Sequence, residues 1–230
     1  MPVILAPLDA PEPVGDQATS PRSIDGGGTA RHQSDGPGRY YVVELIEPAD
    51  RLWPDLSRKL ADEATLEEAV LNRLQVQGLD VTTAESCTGG ALGAALTEPP
   101  GSSEVYLGGV VSYSYEMKER LLGVERKTLE SHGAVSPECV AEMVRGCEER
   151  LGGAVQIAVT GIAGPGGGTP EKPVGLVYMA LRRDGSEEVF EFRFPGRRHE
   201  VRKRSVEAAL LLLLDANVAE TIGGRRLTAR

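Results

Sequence analysis

The chain is poor in the residues that build several common kinds of site. Its three cysteines, Cys87, Cys139 and Cys147, form no C-x-x-C pair, which removes both a zinc-binding spacing and a disulfide framework. The expectation is a protein of a reducing compartment with no structural metal and no cofactor. No apolar run approaches the ~20 residues of a membrane span, and the N-terminus lacks the charged segment and apolar core of a secretory signal. A cytoplasmic protein without membrane association is expected. Positive charge is also short: 25 Lys and Arg face 34 Asp and Glu, a net charge of −9. That balance argues against a general nucleic-acid binder, whose footprint is a basic surface, and leaves room only for a local basic site. A length of 230 residues suits one enzyme-sized domain plus a tail.

The chemistry-bearing residues crowd into one stretch, T-A-E-S-C-T-G-G-A-L-G-A-A-L-T-E-P-P-G-S-S from Thr83 to Ser103. Residues 79–83 carry the β-branched content of a short strand, and residues 91–96 the alanine and leucine of a helix. The loop between them opens that helix. Gly89 and Gly90 let backbone N–H groups approach a ligand at the helix N-terminus, where Ser86 and Thr88 add hydroxyls, an arrangement that suits an anion. The same residues also read as a plain strand-to-helix turn with an N-cap. The string matches neither the dinucleotide-binding nor the P-loop glycine pattern.

Residues 1–39, rich in Pro, Gly, Ser and Asp, read as a disordered tail. Residues 40–46 suit a strand and residues 53–64 a short helix, together an extension of uncertain structure. A domain over residues 65–222 follows, with 223–230 as a C-terminal tail. Within it, residues 65–77 have helical spacing and Gly78 stops them. Residues 109–113 read as a strand, and Ser114 caps a helix over 115–122. Ser136 caps another, with Pro137 in its first turn and Cys139 and Cys147 on its core face. Residues 155–159 form a nearly continuous apolar run, as in a strand covered on both faces. Residues 174–181 and 188–194 read as a hairpin. A last helix starts near His199, and its apolar stretch 208–214 demands burial against the sheet or against a second copy of the chain. A homodimer therefore stays open. Alternating helices and strands with a late hairpin imply an α/β protein, a three-layer α/β/α sandwich on a mixed, mainly parallel sheet.

Five motifs stand in order along the domain: A-E-S-C-T-G-G at 84–90, G-S-S at 101–103, Y-S-Y-E-M-K at 113–118, H-G-A-V-S at 132–136, and T-G-I-A-G-P-G-G-G with K-P-V-G between 160 and 175. Together they resemble the C-terminal domain of the competence/damage-inducible CinA proteins, a domain that also occurs alone as nicotinamide mononucleotide amidohydrolase. The full-length proteins carry a larger N-terminal domain that 65 residues cannot hold, which favours the stand-alone form. The resemblance implies the same α/β/α architecture. It also implies hydrolysis of the nucleotide's amide to nicotinic acid mononucleotide and ammonia, a step of pyridine nucleotide salvage.

The residues themselves leave the nucleophile open. Cys87 is intrinsically reactive, and a helix N-terminus would lower its pKa. Its hydrolase would need a base, for which only His32, His132 and His199 exist; His32 falls in the tail, His132 in a loop. No Asp-His-Ser order is evident. A serine paired with a lysine held neutral by burial is the other route, with Ser103 and Lys118 the candidates. Bringing them together needs residues 104–108 to turn helically rather than extend. The resemblance implies Ser103 as nucleophile and Lys118 as base, assisted by Tyr113 and Thr160. Ser86, Thr88, Gly89, Gly90 and Gly161 then contact substrate, and the basic run 197–204, R-R-H-E-V-R-K-R, supplies Arg198 and Arg202 for the phosphate. Two other readings remain: a small-amide hydrolase working from Cys87, and a non-catalytic nucleotide-binding module linked to competence or DNA damage.

Overall fold

A computed structural model describes residues 3–4, 30–32, 41–43, 65–220 and 222–227. Strands β1 (Val3–Ile4), β2 (Ala30–His32) and β3 (Tyr41–Val43) form a small antiparallel sheet of their own. The expected disordered tail and the helix at 53–64 otherwise lie outside the described residues.

The domain opens on α1 (Leu66–Gln77). Thr65 Oγ1 accepts from the Glu68 N–H while the Glu68 carboxylate accepts from the Thr65 N–H, and Gly78 closes the helix at φ +63°. Both ends are thus satisfied locally. Strand β4 (Val81–Glu85), α2 (Ala91–Thr97), a 3-10 turn (Ser102–Glu104) and β5 (Tyr106–Val111) follow. Next come α3 (Tyr115–Leu122), α4 (Arg126–His132), α5 (Pro137–Leu151), β6 (Val155–Gly161), β7 (Leu176–Arg183), β8 (Ser186–Arg193), α6 (Arg198–Leu214) and β9 (Gly224–Leu227).

The six-stranded sheet has the order β5-β4-β6-β7-β8-β9. Pairing is parallel across β5-β4-β6 and antiparallel from β6 onward, so four of the six strands share one direction. The mixed sheet and its flanking helices are the architecture expected. Strand alternation sorts side chains into two layers. Val155, Ile157, Val159, Val177 and Met179 pack with α1, α2 and α6, whereas Ala84, Ala158, Tyr178 and Ala180 pack with α3, α4 and α5. The apolar end of α6, Ala208 to Leu213, is buried in the first layer within the chain itself.

Three boundaries differ from the reading of the sequence. Strand β5 starts at Tyr106 rather than 109, because Gly108 and Gly109 sit inside it instead of breaking it. A Cβ at Gly109 would lie 2.0 Å from Thr83 Oγ1, so the glycine lets the edge strand close on β4. His132 ends α4 rather than lying in a loop. Residues 224–227, expected as tail, pair antiparallel with β8.

The tightest packing joins α5 to the end of α3. A Cβ at Gly146 would stand 1.7 Å from the Leu122 carbonyl oxygen, a clash with backbone that no rotamer relieves. Gly146→Ala should therefore destabilise the domain by about 1–3 kcal/mol or more despite its better helix propensity. Thermal unfolding checks this, and an unchanged Tm would show that α5 can shift.

Candidate active site

In open α/β sheets, crevices form beyond the carboxyl ends of parallel strands, where successive connections leave in opposite directions. Here β4 leads outward through α2 to β5, and the chain then returns across the other face to β6. The ends of β4 and β6 therefore flank a crevice, and Ser86 is the first residue beyond β4. Its N–H donates to Val159 O at 3.0 Å, and its carbonyl accepts from Gly89 N–H in a tight turn. Its side chain is buried at 8 % exposure.

Lys118 reaches this point from the first turn of α3, which Ser114 caps through the Met117 N–H. Its Nζ donates to Ser86 Oγ at 2.8 Å and to the Ser112 carbonyl at 2.5 Å. The residue is 0 % exposed. Among the described residues no carboxylate forms an ion pair with it. Burial holds its pKa below the usual lysine value, only partly offset by the nearby Cys139 and Cys87. A buried lysine with a depressed pKa, hydrogen-bonded to a serine hydroxyl, has the chemistry to accept that hydroxyl's proton.

The structure does not bring Ser103 to Lys118. Ser103 is exposed on the 3-10 turn before β5, whereas Lys118 follows the far end of that strand. The register pairs Tyr106 with Val81 and Val111 with Glu85, so roughly 20 Å of strand at ~3.3 Å per residue separates the two ends. The expected pairing fails because residues 106–108 extend as part of β5, where a helical turn over 104–108 was needed. Ser86 takes the place beside the lysine.

Two further expectations change. The N–H groups at the start of α2, expected to receive a ligand anion, are taken by the chain itself. Glu85, 2 % exposed, accepts from Gly90 N–H at 2.9 Å, Leu92 N–H at 3.1 Å and Gly93 N–H at 2.8 Å. Gly89 and Gly90 supply positive φ for the turn, +62° and +91°, rather than an open phosphate cradle. The Cys87 thiol, expected to be lowered by the helix, is instead pushed up to about 12, burial outweighing nearby N–H groups and Lys118. It packs in the core. His132 is no base for it, being exposed beside Glu138 at 3.7 Å.

The remaining expected residues gather around the crevice. Arg198, at the start of α6, donates to Gly164 O at 2.8 Å and to the Tyr113 hydroxyl at 3.1 Å. Arg202, one turn on, donates to Thr88 O at 2.7 Å. The two arginines thereby tie three loops to α6. Gly161 ends β6, its backbone pressed on β7 so that a Cβ would meet Val177 Cγ2 at 2.7 Å. Thr160 is buried and donates to Ala134 O at 2.7 Å, fastening β6 to the loop before α5 rather than hydrogen-bonding to Lys118. Beside the arginines lies a cleft of about 630 Å³, lined by Ala163, Pro165, Val174, Arg197, His199 and both arginines. Sequence reasoning missed two elements here. One is Glu85, whose signal was a carboxylate placed just before the turn. The other is Lys172, whose Nζ donates to His132 O at 2.5 Å and Val135 O at 2.7 Å and latches the 162–175 loop to the end of α4.

The depressed pKa of Lys118 makes stability depend on pH in a defined direction. The unfolded chain binds this proton up to about pH 10.4, the folded chain only to a lower pH. Between those values the unfolded state holds more protons, so stability rises with pH. Lys118→Met should remove that rise, and Tm measured from pH 7 to 10.5 for both proteins checks it. Parallel profiles would show that Lys118 is not destabilised by its charge.

Comparison with known proteins agrees with this architecture. Residues 63–217 match the CinA C-terminal domain model. A CinA-like protein of Chlorobaculum tepidum is 47% identical over 192 residues, 81% of this chain and 44% of its own. One from Parasynechococcus marenigrum is 56% identical over 164 residues, 68% of this chain and 38% of its own. The chain thus spans less than half the length of these curated relatives. Among solved structures, the competence/damage inducible protein CihA from Agrobacterium tumefaciens superposes with a TM-score of 0.64 at 43% identity, covering 66% of this chain and 95% of that one. A CinA superfamily protein from Escherichia coli superposes with a TM-score of 0.62 at 37% identity, covering 69% and 95%. With the family model matching well over half of its length and the fold shared throughout the matched region, the chain belongs to the CinA C-terminal domain family.

Proposed function

We propose that this chain is a Ser/Lys amidohydrolase that converts nicotinamide mononucleotide to nicotinic acid mononucleotide and ammonia, with Ser86 as nucleophile and Lys118 as base. The observation that carries the reading is the 2.8 Å bond between Lys118 Nζ and Ser86 Oγ on a lysine that is fully buried. Neutral Lys118 takes the Ser86 hydroxyl proton as the oxygen attacks the amide carbon. The same ammonium then returns a proton to the departing nitrogen, releasing ammonia and leaving an acyl-Ser86 ester. Water, deprotonated by Lys118 in turn, hydrolyses the ester and frees the acid. In this scheme Tyr113 and Thr160 hold Arg198 and the 133–136 loop in place, respectively, and do not touch the proton in flight.

The cleft lined by Arg197, Arg198, His199 and Arg202 suits the substrate phosphate. A guanidinium has five donors, and Arg198 spends two and Arg202 one on the loops, leaving N–H groups for a phosphate. An acidic protein that binds a dianion needs such a local concentration of positive charge. The Cys87 hydrolase has no supporting geometry, since that thiol is buried and protonated. Ammonia release from purified protein on nicotinamide mononucleotide, nicotinamide and glutamine tests the reading; nucleotide binding without ammonia from any amide would favour the non-catalytic module.

A further inference from the structure

Two hydroxyls beside the Ser86–Lys118 pair are buried without a use in the fold. Thr88 and Ser112 are each 0 % exposed, and neither Thr88 Oγ1 nor Ser112 Oγ has a hydrogen-bond partner among the described residues. Their main chains, by contrast, are engaged at the site. Ser112 O accepts from Lys118 Nζ, and Ser112 N–H donates to Glu85 O at 2.8 Å. Thr88 stands two residues beyond Ser86 in the turn closed by Gly89, and its carbonyl accepts from Arg202. Backbone bonds therefore hold both residues in the loops that flank Ser86 and Lys118, while their hydroxyls hydrogen-bond to none of the described residues. Buried hydroxyls are nearly always paired, and an orphan lowers stability unless something else supplies its partner.

We propose that Thr88 and Ser112 hold the scissile carboxamide of the substrate, an inference that rests on Ser86 and Lys118 being the reacting pair. A primary carboxamide presents one acceptor oxygen and one NH2 donor, and a hydroxyl can donate or accept by rotating. One hydroxyl donates to the carbonyl oxygen, which gains charge as Ser86 adds to the carbon; the other accepts from the NH2 group that leaves as ammonia. A site that hydrogen-bonds its substrate on both sides rejects analogues lacking those groups, because its buried polar atoms then stay unpaired. The proposal thus assigns amide recognition to the 86–89 turn and the end of β5, separately from phosphate recognition at α6.

The test is Thr88→Val, which keeps the shape and deletes the hydroxyl, with Thr88→Ser as the conservative rescue, and Ser112→Ala, all in the full chain. If the hydroxyls serve substrate, Thr88→Val and Ser112→Ala each lower kcat/KM for nicotinamide mononucleotide by roughly 10- to 100-fold, Thr88→Ser recovers most of the loss, and Tm stays level or rises. Unchanged kcat/KM in both deletions overturns the inference while leaving the Ser86–Lys118 reading intact. A fall in Tm that accounts for the lost activity overturns it too, by making the hydroxyls structural. If wild type releases no ammonia, the function reading fails instead, and calorimetric binding of nicotinamide mononucleotide decides: weakening of tenfold or more in Thr88→Val and Ser112→Ala supports the contact, and equal binding rejects it.

Discussion

Ser86→Ala and Lys118→Ala should each lower ammonia release from nicotinamide mononucleotide by roughly 10⁴-fold or more, and the double variant should be hardly worse than either single one. Nucleophile and base act as a unit, so removing the second costs little once the first is gone. Ser103→Ala should work at close to the wild-type rate, since Ser103 lies exposed before β5, and Cys87→Ala should keep much of it. The pH dependence is an independent check. Because burial lowers the pKa of Lys118, kcat/KM should rise through an apparent pKa below the ordinary lysine value of about 10.4 and level off once the amine is neutral. An inactive Ser103→Ala beside an active Ser86→Ala would return the nucleophile to the G-S-S motif. It would also require a route from residue 103 to Lys118 that β5 does not provide.

Arg198→Ala and Arg202→Ala should raise KM for the nucleotide strongly with a smaller change in kcat. Each charged hydrogen bond to phosphate contributes about 1.5–3 kcal/mol, roughly 10- to 150-fold. Arg198 should show the larger effect on kcat as well, because its bonds to Gly164 O and the Tyr113 hydroxyl also hold the loops that frame the crevice. Nicotinamide riboside, which lacks the phosphate, should be a poor substrate of the wild type, and the arginine variants should discriminate less between riboside and nucleotide. Equal turnover of both by wild type would place the phosphate outside the cleft at α6.

Much of the architecture was legible in the residues because its signals are local. The cap at Thr65 with its stop at Gly78, the helix opened by Ser114, the Ser136-Pro137 start of α5 and the hairpin turning at Asp184 and Gly185 each depend on neighbours a few positions apart. The apolar run of β6 announced a strand covered on both faces. The basic run at the start of α6 was visible as a run of charge, and the lysine in Y-S-Y-E-M-K is assigned as a base only through the family resemblance.

What the residues could not supply was which serine meets that lysine. Ser86 and Ser103 lie in the same stretch, 17 positions apart, and only Ser103 is expected as the nucleophile, with Ser86 expected as a substrate contact. The choice depends on whether the residues up to 108 extend or coil, and residues 106–108 extend because the edge strand must close on β4, with Gly109 against Thr83. Register then carries Ser103 to one end of the sheet and Ser86 to the other, beside Lys118. The Glu85 carboxylate in the anion-favouring turn, the burial that raises Cys87 and lowers Lys118, and the isolation of the Thr88 and Ser112 hydroxyls are of the same kind. Each is set by what distant segments pack around a group, and desolvation and strand register exist only once the sheet is assembled.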